Sequence, residues 1–457
     1  MPLQKNQVLT LRVERLSSDG SGVAHSPDGE TVFVPGAAPG DEARVRIVKD
    51  CKRYAFGILD EVLTPSPDRI PVDCAVAGPC GGCSLRHLDY AAELRAKQEN
   101  VVDAFARIGG LDVPVLPIVG SPEVNRYRNK VQFPVGVDKS GKPCFGFYAG
   151  RTHRIVPCPD CRLQPGVLNE IGNALCAFFA EKGIQPYSEE TGKGLVRHIF
   201  LRRGAHSGQI MVCLVCTCAK LPYAEELCTR LKAQFAEITT ILLNVNAKNT
   251  NVILGTETHT LYGPGYIEDT LCGVPVQLGP LSFYQVNTLA AEQLYGIAAQ
   301  YAQLTPDDLL LDLYCGMGTI GLSMAAHCRE LIGVEIVPEA IESAKANAAR
   351  MGADVAAKSR FFCADAGQAA TRLAAEGLHP DIVMLDPPRK GCDEATLSAV
   401  VRMAPRRVVY VSCNPATAAR DAAWLEQNGY HAEKVQPVDL FPRTRHVEAI
   451  VSLQRGI

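Results

Sequence analysis

The stretch "LLLDLYCGMGTIGL", residues 309–322, decides the fold of this chain. Its leucines are typical of a buried strand. Gly316, Gly318 and Gly321 then follow the G-x-G-x-x-G spacing of a tight turn into a helix. Glu335 ends the next apolar run, nineteen positions after Gly316, where a carboxylate can bind ribose hydroxyls. The stretch predicts a strand, a loop and a helix that together bind an adenosine cofactor.

The same alternation continues to the end of the chain. Apolar runs occur at "ELIGVEI" (330–336), "DIVMLD" (381–386) and "RRVVYVSC" (406–413), and an alanine-rich helical stretch follows each. Strands that alternate with helices form a parallel sheet with helices on both faces. Residues 281–457 are therefore predicted to be a Rossmann-like α/β domain with a mostly parallel, doubly wound sheet.

Two further regions precede this domain. Residues 1–62 contain short alternating runs separated by Gly, Asp and Pro turns, a pattern that predicts a small closed β-barrel. Residues 63–280 are predicted to form a mixed α+β central domain. Within it, helical spacing covers 88–108, with Asp89 as N-cap and Gly109-Gly110 as the stop. This helix is free to pack on the C-terminal domain.

Composition sets the broad class. The 457 residues are 47% apolar and 21% charged, which is ordinary for a soluble protein of two or three domains. Because neither a signal peptide nor a membrane-length apolar run is visible, we expect a cytoplasmic protein without a membrane partner. No obligate protein partner is evident. Eighteen cysteines are too sparse for a disulfide scaffold, so metal ligands, nucleophiles or core residues are expected.

Three features favour S-adenosylmethionine over NAD as the cofactor. Asp312 lies just before the glycines, where it would repel a pyrophosphate but attract a sulfonium. "DPPRKG" (386–391) has Arg389 where base-amino methylating enzymes carry a stacking aromatic residue. Cys413 follows the predicted strand 408–411 at the sheet edge where ligands bind. A cysteine is most often a buried hydrophobe, but at this position it can also act as a nucleophile.

The chain resembles the RNA (uracil-5-)-methyltransferases that use S-adenosylmethionine, specifically their 23S ribosomal RNA branch. The resemblance rests on "FYQVN" (283–287), "DLYCGMGTIGL" (312–322), "GVEI" (333–336), "DPPRKG", "VSCNP" (411–415) and "TRHVE" (444–448). Residues 7–62 are also similar to the TRAM domain, an RNA-binding barrel related to OB-folds. The implied activity is methylation of uridine carbon 5.

The resemblance implies roles for individual residues. Cys413 would attack uracil carbon 6, and Glu448 would remove the proton from carbon 5. From the residues alone, an edge-strand charge that pairs with Arg445 or His446 is the better interpretation of Glu448, and the resemblance reverses that preference. Phe283 would stack on an extruded base, with core packing as its alternative. Cofactor contacts are implied for Gln285, Tyr314, Glu335 and Asp386, and Asp312 and Gly316 join them from the glycine loop.

A second group of cysteines predicts a metal site. "CAVAGPCGGC" places Cys74, Cys80 and Cys83 in a C-x5-C-x2-C run, and such spacing suits an iron-sulfur cluster or a structural zinc. The resemblance favours a 4Fe-4S cluster and implies Cys161 as the fourth ligand. Cys158, three residues earlier, competes with it.

Basic residues concentrate before the catalytic domain. Between residues 121 and 205 thirteen Lys/Arg stand against seven Asp/Glu, which indicates either a phosphate-binding surface or an ordinary solvated face. "RYRNK" (126–130), with Arg126 and Arg128, is a candidate for binding RNA. The expected partner is 23S rRNA. Transfer RNA is the nearest alternative, followed by a non-catalytic rRNA-binding assembly factor.

Overall fold

The N-terminal region is a closed barrel. The structure is a computed structural model that describes residues 3–150, 152–248 and 250–456. The barrel strands are β1 (Val8–Leu16), β2 (Ser21–His25), β3 (Thr31–Pro35), β4 (Glu42–Asp50) and β5 (Tyr54–Thr64). They follow the order β1-β2-β3-β5-β4, and β1 closes the barrel by pairing with β4. Alternate residues such as Val32, Val34 and Val45 point inward and are fully buried. The predicted barrel is confirmed.

A helix follows the barrel, as predicted. Helix α1 (Tyr90–Asp103) begins at Asp89, whose side chain accepts a hydrogen bond of 2.7 Å from the amide of Ala92. A π-helical turn, Ala104–Gly109, extends it. The helix ends at Gly110, which has the left-handed φ of +62° that favours glycine.

The central region is built on a seven-stranded mixed sheet. Its strands are β6 (Lys130–Val137), β7 (Pro143–Tyr148), β8 (Ile155–Pro157), β9 (Val196–Arg203), β10 (Ile210–Cys216), β11 (Ile238–Val245) and β12 (Glu257–Tyr262), in the order β12-β11-β10-β9-β6-β7-β8. Helices α2 (Gly166–Lys182) and α3 (Ala224–Gln234) share an apolar core with one face. The hairpin of β13 (Ile267–Leu271) and β14 (Val274–Leu278) contributes to the core on the other face.

The C-terminal region is a second seven-stranded sheet between helices. The helices are α4 (Thr288–Ala302), α5 (Thr319–Met324), α6 (Pro338–Arg350), α7 (Ala353–Lys358), α8 (Ala366–Ala375), α9 (Glu394–Met403) and α10 (Pro415–Gln427), with a 3-10 turn at Ala325–His327. The strands are β15 (Leu309–Leu313), β16 (Glu330–Glu335), β17 (Ser359–Cys363), β18 (Ile382–Leu385), β19 (Arg407–Ser412), β20 (Tyr430–Val438) and β21 (Glu448–Arg455).

The strand order of this sheet locates its ligand crevice. The order is β17-β16-β15-β18-β19-β21-β20, with β15 to β19 parallel and β21 antiparallel to both neighbours. The order reverses between β15 and β18, and ligands of open α/β sheets bind beyond the strand ends at such a point. The predicted doubly wound α/β fold is confirmed.

Helix α1 joins the regions. Its buried Val101 and the following Phe105 lie in the same apolar core as Ala418 and Ala422 of α10. The helix therefore packs on α10 of the C-terminal region, although about two hundred residues separate it from β15. The predicted domain boundaries at residues 62 and 280 stay predictions. Within the described ranges, no helix combines the length and apolar character needed to cross a bilayer.

Candidate active site

The glycine loop after β15 turns sharply beneath Glu335. Tyr314, Gly316 and Gly318 all have positive φ, of +67°, +56° and +80°. The amide of Gly316 donates to Glu335 Oε2 at 3.2 Å, and the amide of Val337 donates to Oε1 at 3.0 Å. These bonds hold the Glu335 carboxylate at the end of β16, beside the loop, where the cofactor interpretation requires it.

Asp312 supports this loop from below. Its side chain is buried, and Oδ2 accepts a hydrogen bond of 3.0 Å from the amide of Gly321. A Cβ at Gly321 would come within 2.8 Å of that oxygen, so only glycine fits. Oδ1 has no hydrogen-bond partner among the described residues. Burial, reinforced by the charges of Asp386 and Glu335, raises the pKa of Asp312 to about 8. Asp312 is therefore mostly protonated at neutral pH without a bound cation.

Tyr314 and Gln285 contact different helices. Tyr314 is half-buried, and its hydroxyl lies 3.4 Å from Thr396 Oγ1 of α9. The side chain of Gln285 interacts electrostatically with the buried Tyr295 of α4. The backbone carbonyl of Gln285 accepts a bond of 2.7 Å from Asn129 Nδ2. Asn129 thus anchors a predicted cofactor residue from the central domain.

Cys413 lies at the mouth of the sheet. It follows β19 and precedes Asn414, whose side chain caps α10. Asn414 Nδ2 also donates to the carbonyl of Arg389 at 3.0 Å, which ties the cysteine loop to the "DPPRKG" loop. Cys413 is half-buried. Burial and the charge of Glu448 raise the pKa of its thiol, whereas a hydrogen bond and charge from Arg389 oppose that rise.

Glu448 stands opposite the cysteine. Ser412 of β19 pairs with Ala449 of β21, so the next residues outward on these strands are Cys413 and Glu448. Because β21 lies between β19 and β20, the interpretation of Glu448 as an edge-strand charge is wrong. Its side chain is 7% exposed. Burial, then the charge of Asp386, raises the pKa of Glu448 to about 8, and Arg389 opposes the rise.

Asp386 completes the group. It follows β18 directly, and burial raises its pKa to about 7. Electrostatic contacts connect it with Cys413 and Glu448. Arg389 contacts the same residues but was not predicted as a site residue. The sequence indicates Arg389 only through its position directly after Asp-Pro-Pro, three residues beyond the predicted Asp386.

Phe283 projects from a rigid loop. Its side chain is 72% exposed, so the alternative of core packing is wrong. The buried Arg202 clamps the loop by donating to the carbonyls of Gly279 (2.8 Å) and Ser282 (2.7 Å). The loop therefore presents an aromatic ring to solvent from a backbone that two hydrogen bonds hold in place.

The predicted metal ligands surround a cavity of about 100 Å³ beside β7. Its wall includes the four predicted cysteines and a fifth, namely Cys74, Cys80, Cys83, Cys158 and Cys161. A hydrogen bond from Cys158 lowers the pKa of Cys161, against the effect of burial, and raises that of Cys158. As the described side chains stand, no three of His, Cys, Asp or Glu form a group that could hold a metal ion.

The two basic candidates have different surroundings. Arg126 donates to the carbonyl of Cys161 at 2.8 Å and pairs with Asp160 at 2.8 Å, so it ties down the cysteine loop. Arg128 lines the cysteine cavity, and its buried Nε has no partner among the described residues. Arg128 is therefore the freer of the two for a phosphate, and both assignments stay predictions.

Comparisons with known proteins agree with this geometry. Residues 275–456 match the family described as tRNA (Uracil-5-)-methyltransferase, and residues 2–59 match the TRAM domain. The chain is 42% identical over 454 residues to an uncharacterized RNA methyltransferase of Halalkalibacterium halodurans, covering 99% of this chain and 98% of the relative. A relative of the same description in Listeria monocytogenes is 42% identical over 455 residues, with the same shares covered.

A solved structure is similar over nearly the whole length. The Pyrococcus abyssi tRNA (uracil-54, C5)-methyltransferase, in complex with S-adenosyl-L-homocysteine, superposes with a TM-score of 0.77 at 26% identity. The similarity covers 98% of this chain and 100% of that one. It therefore includes the barrel and the central sheet as well as the catalytic sheet.

Proposed function

The chain belongs to the S-adenosylmethionine-dependent RNA (uracil-5-)-methyltransferase family, and from that premise we propose that it methylates carbon 5 of a uridine in 23S ribosomal RNA. The observation that carries the proposed mechanism is the juxtaposition of Cys413 and Glu448. Ser412 of β19 pairs with Ala449 of β21; Cys413 directly follows Ser412, Glu448 directly precedes Ala449, and Arg389 acts electrostatically on both. A nucleophile and a base at one sheet edge are what this reaction requires.

Cys413 is proposed as the nucleophile. Its thiolate adds to carbon 6 of uracil, and the electron pair of the C5–C6 double bond makes carbon 5 nucleophilic as part of an enolate. The thiol must first lose its proton. Arg389 stabilises the anion, whereas burial and a charged Glu448 oppose it. Because the pKa of Glu448 is about 8, Glu448 is mostly neutral at pH 7, which reduces that opposition.

Glu448 is proposed as the base. Once carbon 5 carries the new methyl group, it still holds one proton. Glu448 takes this proton, the C5–C6 double bond forms again, and the C6–S bond breaks to release Cys413. A carboxylate with a pKa of about 8 is a stronger base than an ordinary glutamate. Glu448 then returns to its protonation equilibrium with solvent, in which the neutral form predominates at pH 7 and the ionised form is the one that accepts a proton from carbon 5.

The cofactor fits the crevice chemically. S-adenosylmethionine, when bound, supplies a methyl group on a positively charged sulfonium. The unpartnered, buried Oδ1 of Asp312 suits such a cation. We propose that Glu335 binds the ribose hydroxyls beside Gly316. The remaining contacts are proposed for Gln285, Tyr314 and Asp386.

The cysteine cavity is proposed to hold a 4Fe-4S cluster. Its predicted ligands are Cys74, Cys80, Cys83 and Cys161, an all-sulfur set that suits iron-sulfur chemistry. A tetrahedral zinc site needs four sulfurs about 3.8 Å apart. Because no three of the described side chains stand close enough to hold a single metal ion, cysteines that line one cavity suit a group larger than one ion. Since methyl transfer is redox-neutral, we propose that the cluster shapes the RNA-binding region and delivers no electron.

Transfer RNA is the second candidate substrate. The full-length similarity to the Pyrococcus abyssi tRNA enzyme favours it. The TRAM barrel and the basic region support RNA binding in general and do not separate the two classes. We propose the cytoplasm as the place of action. A non-catalytic assembly factor is disfavoured because both proposed reacting side chains are present.

Mapping of 5-methyluridine tests the proposal. Purified protein is incubated with S-adenosylmethionine and unmodified ribosomal or transfer RNA, and Cys413→Ala serves as the control. We expect 5-methyluridine in 23S rRNA with the native protein only. If 5-methyluridine forms in transfer RNA alone, transfer RNA and not 23S rRNA is the substrate. Methylation by Cys413→Ala at the native rate would refute the mechanism, and failure to form an adduct with 5-fluorouridine RNA would favour a non-catalytic binder.

A further inference from the structure

The segment between β20 and Glu448, residues 439–447, is held by residues from the other end of the chain. Its first residue, Asp439, is fully buried. Lys97 of α1 donates from Nζ to Asp439 Oδ1 at 2.8 Å and to the carbonyl of Phe441 at 3.2 Å. The same Nζ donates to Glu93 Oε1 at 2.7 Å. One buried ammonium therefore binds two buried carboxylates and the segment's backbone.

Further bonds fix the middle of the segment. The amide of Arg443 donates to Glu93 Oε1 at 2.7 Å, and its carbonyl accepts from the amides of Ser84 (3.0 Å) and Leu85 (3.1 Å). Arg443 has a φ of +68°, which is costly for a residue with a side chain. Tyr90 donates to Asp439 Oδ2 at 2.9 Å. The strained backbone at Arg443 is thus maintained by α1 and the residues before it.

The charge balance makes Lys97 central to this arrangement. Lys97 is 2% exposed, and Glu93 and Asp439 are both fully buried. Without Lys97, two carboxylates would share a dry site with the guanidinium of Arg443, which lies 3.6 Å from Glu93 Oε2, as their remaining cation among the described residues. They would have to take up protons or move toward water, and either change alters the bonds to Phe441 and Arg443. Glu448 follows Arg443 by five residues.

We propose that Lys97 is a positioning residue for proton removal by Glu448. The inference rests on the proposed function, because Glu448 has a catalytic role only there. Lys97 touches neither the uridine nor the cofactor. It aligns Glu448 by holding residues 439–447, so its loss slows the release of the methylated adduct more than its formation. Formation depends on Cys413, whose loop is tied to the carbonyl of Arg389.

The test separates the two half-reactions. Lys97→Met, Tyr90→Phe and the native protein are mixed with substrate RNA and S-adenosylmethionine. The rates of adduct formation and of adduct release are then measured by rapid quench. Arg95→Met is the matched control, because Arg95 lies on the same helix but is 56% exposed, and its ion pair is with Asp68, outside residues 439–447. Binding of S-adenosylmethionine is measured by calorimetry as a readout independent of turnover.

For Lys97→Met we expect adduct formation within about threefold of native and adduct release slowed at least about tenfold. Tyr90→Phe keeps every charge and is expected to slow release by a smaller factor, and Arg95→Met leaves both rates unchanged. Native release by folded Lys97→Met would overturn the inference. An equal loss in both rates and in cofactor affinity would do so too, since it indicates general destabilisation.

If Lys97→Met does not fold, the rates of adduct formation and adduct release in Tyr90→Phe test the inference instead. The results distinguish a failure of the proposed function from a failure of the proposed role of Lys97. A native protein that forms neither adduct nor 5-methyluridine refutes the proposed function together with this inference. If the native protein completes the reaction and the variants release the adduct at the native rate, only the role of Lys97 is refuted.

Discussion

The protonation of Glu448 is expected to control the second half of the reaction. Burial raises its pKa to about 8. About one molecule in a hundred therefore carries the ionised base at pH 6, about one in eleven at pH 7 and half at pH 8. The rate constant of adduct release should rise almost tenfold from pH 6 to pH 7 and level off above pH 8. Glu448→Gln keeps the shape of the side chain but cannot accept the proton, and it should slow release by about 10²–10⁴-fold.

A pH-jump experiment isolates this step. The protein is mixed with substrate RNA and S-adenosylmethionine at pH 6, where the adduct accumulates, and is then transferred to pH 6–9 and quenched. Cys413 is already bonded to the ring, so its own titration does not contribute. Denaturing gels resolve the protein–RNA adduct from the free protein. The reasoning would be refuted by Glu448→Gln protein that releases the adduct at the native rate, or that retains the midpoint near pH 8.

Three further predictions concern the surrounding structure. Gly321→Ala places a Cβ within 2.8 Å of a buried carboxylate oxygen, so it should lower cofactor affinity and melting temperature. Gly296→Ala, in a helix with open space around it, should keep both or stabilise the fold by up to about 1 kcal/mol. Cys161→Ser should lose the iron and visible absorbance of anaerobically purified protein while Cys158→Ser retains them, and the reverse result would exchange their roles. Arg389→Ala should shift adduct formation to higher pH relative to Arg389→Lys, because the cation that stabilises the thiolate is lost; coincident pH profiles would contradict this.

Much of the fold follows from local sequence patterns. Apolar runs separated by helical stretches were sufficient to predict the doubly wound sheet. The apolar residues of an amphipathic helix recur every three or four positions, whereas a strand buried on both faces is a continuous apolar run, so the two patterns can be told apart. The limits of α1 were also readable, since Asp89 caps its start and Gly110 adopts the left-handed conformation beyond its end. Capping depends on neighbouring residues, and these are visible in any sequence.

The candidate site was only partly visible in the sequence. Cys413 and the cysteine run were identified from position and spacing, whereas the base Glu448 and the fourth ligand Cys161 were implied by the resemblance, and all these assignments stay predictions. Sequence alone could not tell whether Phe283 is a core residue or whether Glu448 lies on an edge strand. Exposure and strand order decide such questions, and both depend on which distant segments pack together.

By itself, the sequence determined the periodicity of the strands and helices, the caps and the turns, since each depends on residues a few positions apart. Only the tertiary structure placed Arg389 beside the cysteine, Cys158 in the wall of the metal cavity, and Lys97 between two carboxylates. Lys97 and Asp439 are separated by more than three hundred residues of the chain. No local pattern encodes that contact, because charges in a dry interior are stabilised by whichever partners folding brings within hydrogen-bond distance.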